Sequence, residues 1–139
     1  LPGNGMEIQT NYYTIKPRNN LLYIESFYSW DEEIAMDFAG DVRQVILDNY
    51  LGTTWAVLHD VSQWELGTPQ INEIISRFLS TPLTGLLDRH AIVTGTSKIR
   101  IWQVENIIKD IDQFQIRLFT TQNQAMAWLS DSGYCLDPN

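Results

Sequence analysis

The chain opens with two short runs of β-branched and aromatic residues, at positions 12–16 and 21–27. Residues 17–20, Pro-Arg-Asn-Asn, lie between them and have the chemistry of a turn, because proline fixes one backbone angle and asparagine tolerates left-handed conformations. The pattern predicts an antiparallel hairpin. Alternation along its second strand places three side chains on one face, those of Leu22, Ile24 and Ser26.

A helical period follows the hairpin. Ser29 and Glu32 have the spacing of a capping box, which predicts that a helix begins at Ser29. The apolar positions then repeat every three or four residues until the helix ends between positions 49 and 52. Gly40 interrupts this stripe at a cost of about 1 kcal/mol relative to alanine, so we expect a close contact between helix and sheet there. The predicted buried stripe is Ile34, Phe38, Val42, Val45 and Ile46.

Three further strands, at residues 55–60, 90–94 and 115–119, alternate with three further helices. The second helix begins at Thr68 and Pro69, and Thr121 caps the last one. The element order β-β-α-β-α-β-α-β-α predicts one α/β domain with a mixed sheet, because strand-helix-strand units join parallel neighbours through right-handed crossovers. The predicted domain covers residues 12–134, with a flexible tail at 1–11 and a C-terminal tail at 135–139.

Composition narrows the function classes. The 139 residues are 44% hydrophobic and carry a net charge of −8, which excludes a basic surface for nucleic acid. One cysteine and two histidines exclude a disulfide framework and argue against an all-protein zinc site. The sequence contains no signal-like segment and no apolar stretch of about 20 residues. We therefore expect a cytoplasmic protein without a cofactor or a metal.

Reactive side chains do not form a recognisable catalytic set. Cys135 lies close to the end of the sequence, where a nucleophile is hard to preorganise. His59 and His90 lie within strand patterns, which favours a structural role for both. The glycine-rich nucleotide motifs and the G-x-S-x-G elbow are absent from the sequence. The prediction is that the protein is not an enzyme.

Polar residues follow the predicted parallel strands, where open α/β sheets bind ligands. We call this set the polar rim: Ser29, residues 60–62, Thr68, residues 95–97 and residues 120–121. One interpretation makes the rim a pocket for a small anion or a polar head group. The other is that each hydroxyl caps its own helix. Both remain open at the level of sequence.

Two tryptophans are the most informative apolar residues. Trp102 projects about 170° away from the apolar stripe of the third helix and is flanked by Lys98 and Lys109. Such a patch is typical of a membrane interface or a partner surface, unless residues 134–136 fold back over it. Trp64 lies in the predicted loop 61–67, where it either lines a pocket or packs on the second helix.

The element order resembles the STAS domain, the fold of sulfate transporters and anti-sigma-factor antagonists, and more closely the SpoIIAA-like family of small bacterial proteins. The resemblance covers about residues 12–134. Its motifs are Leu22-Tyr23-Ile24 followed by Ser29-Trp30-Asp31, the run from Trp55 to Trp64, and the ending Phe119, Ala125 and Ala127-Trp128-Leu129.

The resemblance implies two kinds of behaviour. Anti-sigma antagonists carry a phosphorylated serine at the start of the second helix, where this sequence has only Thr68 as a hydroxyl between Leu66 and Gln70. The resemblance therefore implies a regulator without the usual phosphoserine. The family is also similar in fold to Sec14-type lipid-binding domains, whose helices part from the sheet.

Two hypotheses follow. The first is a non-enzymatic binding module that holds a small apolar or amphiphilic ligand between the sheet and the second and third helices, with peripheral membrane contact. Its residues are Trp64, Leu83, Leu86, Leu87, Ile99 and Trp102. The alternative is a STAS-type protein-interaction regulator, lacking the usual phosphoserine, that contacts a protein partner through Ser62, Thr68 and Gln70.

Overall fold

The computed structural model describes residues 5–65, 67–81 and 86–136. In this part of the chain ten elements follow one another, and their bounds agree with the sequence prediction at most positions. They are β1 (Ile8–Gln9), β2 (Tyr13–Arg18), β3 (Leu21–Tyr28), α1 (Glu32–Asn49), β4 (Trp55–Trp64), α2 (Pro69–Leu79), β5 (Leu87–Val93), α3 (Lys98–Ile108), β6 (Gln115–Phe119) and α4 (Gln122–Ser130).

The six strands form one mixed sheet in the order β1-β2-β3-β4-β5-β6. Strands β1 to β3 are antiparallel, and β3 to β6 are parallel. The predicted fold class, one α/β domain with a mixed sheet, is confirmed. The range 1–11 is not all tail, because Ile8 and Gln9 pair with β2. A two-residue strand carries no periodicity that a sequence pattern could detect.

The sheet separates two apolar cores. Helices α1, α2 and α3 cover one face through residues such as Phe38, Ile71 and Val104. Helix α4 covers the other face with Ala125, Trp128 and Leu129, the three residues predicted for its buried side. Alternation along β4 serves both cores, since Val57 and Val61 face the first and Ala56 and Leu58 face the second.

Helix α1 begins later than the capping-box pattern predicts. Asp31 is the N-cap residue, and its carboxylate accepts a hydrogen bond from the Ile34 backbone N–H at 2.9 Å. Ser29 instead donates from Oγ to Glu65 Oε2 at 3.0 Å. Trp30 explains the shift, because its ring is buried and its indole N–H donates to the Phe27 carbonyl. The backbone must therefore turn inward at Trp30 before the helix can start.

Strand β4 is four residues longer than predicted and ends at Trp64. Pairing with β3 continues past an irregularity between Glu25 and Phe27, so that Tyr28 pairs with Trp64. Trp64 therefore belongs to a strand, and the loop predicted at 61–67 is wrong at its first four positions. Strand β5 likewise begins at Leu87, three residues before the predicted start.

The turn of the hairpin is tied to the end of the described chain. Asn19 and Asn20 separate β2 from β3, and Asn19 adopts a positive φ of 56°. The Asn20 side chain donates to the Gly133 carbonyl at 3.0 Å and accepts from the Cys135 N–H at 3.4 Å. The Asn20 carbonyl also accepts from the Ala56 N–H at 3.1 Å. One asparagine thus joins the hairpin, β4 and the segment after α4.

Gly40 does not mark a close contact. It lies exposed within α1, and a Cβ atom built on it would meet nothing within 4 Å. The predicted contact between helix and sheet at this residue is wrong. A helical glycine with open space carries only the conformational cost of glycine.

We expect Gly40→Ala to raise the free energy of unfolding by about 0.5–1 kcal/mol, because alanine restricts the unfolded chain and keeps the helical backbone. Urea unfolding monitored by circular dichroism measures the change. Gly52→Ala is the matched control: its Cβ also has open space, but its φ of +79° should make the substitution destabilising by about 1–2 kcal/mol. A destabilising Gly40→Ala would contradict the argument.

Candidate functional site

A cavity of about 70 Å³ lies between the sheet and helices α1, α2 and α3. Strands β3, β4 and β5 form its floor, and its lining is almost entirely apolar. Helix α2 contributes Ile75, Phe78 and Leu79, which are only half-buried, so this wall is the nearest to solvent. The cavity occupies the region in which the sequence predicts a ligand, between the sheet and the second and third helices.

Three adjacent central strands each contribute one polar side chain to the cavity lining: Ser26 from β3, His59 from β4 and His90 from β5. Ser26 Oγ and His59 Nε2 are hydrogen-bonded at 2.7 Å. The two imidazoles stack with ring centroids 6.2 Å apart and planes within 6°. Sequence reasoning treated both histidines as structural and did not bring them together.

Aromatic rings extend this stack in both directions. Phe38 of α1 lies 5.8 Å from the His59 ring, and Phe114 lies 6.1 Å from the His90 ring, both between centroids. We call the four residues the ring stack. Three of its members, Phe38, His59 and His90, line the cavity. The sequence holds one usable signal, because Ser26 is a polar residue on the otherwise apolar face of Leu22 and Ile24.

Burial keeps both imidazoles uncharged. It lowers the pKa of His59 to about 4, although the negative charge of Asp60 acts in the opposite direction. It lowers the pKa of His90 to about 3, and the neighbouring His59 lowers it further. A neutral imidazole has one donor and one acceptor nitrogen. Neither nitrogen of His90, which is 5% exposed, has a hydrogen-bond partner among the described residues.

A Ser–His pair also occurs in hydrolases, where a carboxylate orients the imidazole. Asp60, the carboxylate next to His59 in sequence, accepts hydrogen bonds from Ser62 Oγ at 2.6 Å and from Gln122 Nε2 at 2.8 Å. Gln122 belongs to α4, so this carboxylate is engaged on the opposite face of the sheet. The cavity therefore offers hydrogen bonds from uncharged groups within an apolar enclosure.

We expect acid to destabilise the protein through the two imidazoles. Histidine side chains in the unfolded chain have a pKa of about 6.5. Folded-state values of about 4 and about 3 mean that the unfolded chain binds more protons below that pH. The contribution of the two imidazoles to the free energy of unfolding is fully present above about pH 6.5. It falls by about 1.4 kcal/mol per pH unit for each imidazole as the pH drops toward 4. Urea unfolding across this range measures the slope.

His90→Phe isolates the effect of one imidazole, because carboxylates titrate equally in both proteins. The free energy of unfolding of the variant, relative to the original protein, should rise by about 1.4 kcal/mol per pH unit as the pH falls from about 6 to about 4.5. Parallel stability curves would show that His90 does not carry the pH dependence.

The residues predicted to bind a ligand are divided between the interior and the surface. Trp64 and Leu87 are buried and line the cavity. Leu86, Ile99 and Trp102 are exposed and do not line it. Leu83 lies outside the described residues, as does Leu66. A single ligand in this cavity would therefore touch only part of the predicted set.

Helix α3 presents an exposed apolar pair. Trp102 is 66% exposed, and Ile99, three residues before it on the same side of the helix, is 61% exposed. Tyr134 instead packs with the α4 core and donates from its hydroxyl to Asp88 Oδ2 at 2.8 Å. The segment at 134–136 therefore does not bury Trp102, and the sequence prediction of an exposed tryptophan is confirmed.

The polar rim contains both caps and residues that cap nothing. Ser97 and Thr121 accept hydrogen bonds from the backbone of their own helices, at 3.3 Å in each case. Thr68 occupies the N-cap position of α2, but its side chain makes no capping hydrogen bond. Thr68 and Gln70 are exposed, and Ser62 is partly exposed. Thr68 and Gln70 thus lie at the start of α2, whereas Ser62 lies on β4 and donates from Oγ to Asp60.

Tyr28 is a rim residue that sequence reasoning missed. It ends β3 beside Trp64, its carbonyl accepts from the Glu65 N–H at 2.9 Å, and its side chain is 59% exposed. Its φ is +61°, a conformation that a bulky residue rarely adopts. Tyr12 meets it edge-on, with ring centroids 6.4 Å apart. No sequence signal predicts this backbone, because asparagine or glycine would be expected there.

Gly67 joins the starts of α1 and α2. A Cβ atom on Gly67 would lie 2.9 Å from Ile71 Cγ1 and 3.3 Å from the Trp30 carbonyl oxygen. Only glycine therefore allows this close approach. Because Trp30 lies two residues before α1 and Thr68 directly precedes α2, the approach brings Tyr28 and Thr68 to the same end of the sheet.

No group of three or more His, Cys, Asp or Glu side chains in the described ranges could hold a metal ion. No helix in the same ranges is long and apolar enough to cross a bilayer.

Comparisons with known proteins identify the fold. No protein-family model and no curated protein matches the sequence. An uncharacterized protein of the DUF3478 family with a SpoIIAA-like fold, from Shewanella loihica, matches 90% of this chain and 99% of its own at 13% identity and a TM-score of 0.64. An anti-sigma factor antagonist from Mycobacterium paratuberculosis matches 94% of this chain and 100% of its own at 13% identity and a TM-score of 0.58. The fold is STAS-like.

Proposed function

We propose that this protein is a non-enzymatic, STAS-type regulator that binds a protein partner through the end of the sheet where β3 and β4 stop. The observation that carries the proposal is the strained, exposed Tyr28 at the same end of the sheet as the exposed Thr68 and Gln70. The fold shared with an anti-sigma factor antagonist supports a regulatory role. The proposed contact residues are Tyr28, Ser62, Thr68 and Gln70.

Backbone strain at an exposed tyrosine favours a function over a purely structural role. A left-handed conformation costs a residue with a Cβ atom about 1–2 kcal/mol. Asparagine adopts this conformation more readily, and an exposed side chain returns little burial energy to offset the cost. Tyrosine is enriched among the residues that dominate binding energy at protein interfaces. The side chain of Tyr28 is therefore suited to contact a partner.

Charge indicates the kind of partner. Glu32, Glu33 and Glu65 are all exposed near the same end of the sheet, and the chain carries a net charge of −8. Complementary potentials accelerate association and suppress wrong partners. We infer a partner with a basic surface. The start of α2 lacks the serine pair of anti-sigma antagonists, so binding does not depend on a phosphoserine at that position.

Tyr28→Asn should separate stability from binding. The variant should be as stable as the original protein or up to about 1 kcal/mol more stable, because asparagine tolerates the backbone of Tyr28. A photo-crosslinking amino acid at Gln70, expressed in the native cells, should capture a protein partner. The yield of that adduct should fall at least about tenfold in the Tyr28→Asn background, as expected for loss of a central contact.

The same photo-crosslinker at Asp131 is the matched control, because Asp131 is exposed and follows α4. The partner should appear at Gln70 and not at Asp131. Equal labelling at both positions, or an adduct that Tyr28→Asn leaves unchanged, would contradict the proposed surface.

A second candidate function is peripheral membrane contact through the outer face of α3. The specific observation is the exposed pair Ile99 and Trp102, with Lys98 on the same face one turn before Trp102. Tryptophan and aliphatic side chains insert at the membrane interface, and lysine is attracted to anionic lipids. This surface is separate from Tyr28 and Gln70.

Flotation with vesicles of phosphatidylcholine and phosphatidylglycerol tests this second candidate. Trp102→Ala should reduce the binding constant at least about tenfold, since burying an aromatic side chain contributes about 1.5–3 kcal/mol. Met36→Ala is the control, because Met36 is similarly exposed but lies on α1. Absence of flotation by the unmodified protein, or an equal loss in both variants, would contradict membrane contact through α3.

A further inference from the structure

We propose that the cavity between the sheet and helices α1 to α3 is a binding site for a small neutral molecule that carries a hydroxyl group, with His90 as its hydrogen-bonding partner. This site is distinct from the rim proposed for a protein partner. Its residues are His90, the Ser26–His59 pair and the apolar side chains around them.

The unpaired imidazole of His90 is the first observation. His90 is buried on the central strand β5, and neither of its ring nitrogens has a partner among the described residues. More than nine in ten buried polar groups in proteins are hydrogen-bonded, and an unsatisfied one is costly. A phenylalanine would fill the same space without this cost. Retention of histidine at such a position indicates that a further molecule uses its nitrogens.

Two side chains of the lining have buried polar atoms without a partner among the described residues: His90 through both ring nitrogens and Trp64 through its indole N–H. Only His90 can also accept a hydrogen bond, because an indole N–H is a donor only. Ser26 and His59 satisfy each other at 2.7 Å, whereas His90 stacks against His59 without a hydrogen bond to it. The uncharged imidazole of His90 offers one donor and one acceptor. A hydroxyl group can use either, because its oxygen accepts and its hydrogen donates. An ion is disfavoured, since the lining holds no charged side chain to compensate it.

The size of the cavity limits the ligand. A cavity of about 150 Å³ holds benzene, so about 70 Å³ holds roughly three non-hydrogen atoms. A cluster of waters fits poorly, because each buried water needs two to four polar partners and the lining is almost entirely apolar. A compact molecule with an apolar body and one hydroxyl matches both the volume and the chemistry.

Ethanol and propane test the proposal directly. Each has three non-hydrogen atoms, and they differ in a hydroxyl group against a methyl group. Nuclear magnetic resonance titrations of the full chain give both dissociation constants, and the ¹⁵N shifts of the His90 ring report hydrogen bonding without any substitution. Ethanol should bind at least about tenfold more tightly than propane and shift the His90 nitrogens.

Two variants assign the contact. His90→Phe should remove the preference for ethanol while leaving propane binding within about threefold. Tyr23→Phe, which removes a hydroxyl group on the opposite face of the sheet, should retain the preference. Equal affinities for both probes, binding of neither, or ethanol binding that leaves the His90 nitrogen shifts unchanged would overturn the proposal. These outcomes are independent of crosslinking at Gln70, so this site and the partner surface fail or succeed separately.

Discussion

The packing at the centre of this protein requires that two histidine side chains stay uncharged. His59 and His90 lie side by side on the middle strands, under three helices and within an almost wholly apolar lining. A charge there would be poorly hydrated and would have no charged partner in the cavity lining, so burial lowers the pKa of each imidazole. The packing of α1 and of Phe114 around these rings is consistent only with the uncharged pair.

The cavity and the rim share strands β3 and β4, but the local free-energy cost at each place has a different origin. In the interior the cost is an unsatisfied polar side chain, at His90. At the rim the cost is a backbone conformation, at Tyr28. Proteins retain such local costs chiefly where function uses them. Strands β3 and β4 connect the two places, since Ser26 and His59 line the cavity and Tyr28 and Trp64 end the same strands.

Periodicity predicted the elements because one-sided burial imposes it. The stripe of α4 and the parallel strands were recoverable for that reason. The start of α1 was predicted wrongly at Ser29, because a capping pattern cannot reveal that the Trp30 ring is buried in the core. The close contact at Gly40 was predicted wrongly, because sequence does not distinguish a tolerated glycine from a required one. The ring stack and the strain at Tyr28 depend on tertiary register, which brings His59 beside His90 and Tyr28 beside Trp64. No local pattern encodes that register.

Asn20 has a consequence for the order in which the chain assembles. The turn between β2 and β3 is synthesised well before the segment after α4, yet the side chain of Asn20 bonds to Gly133 and Cys135 of that segment. The hairpin therefore acquires its last contacts only when residues more than a hundred positions downstream have left the ribosome. Until then the side-chain amide of Asn20 lacks these two partners, so the domain completes its folding late in synthesis.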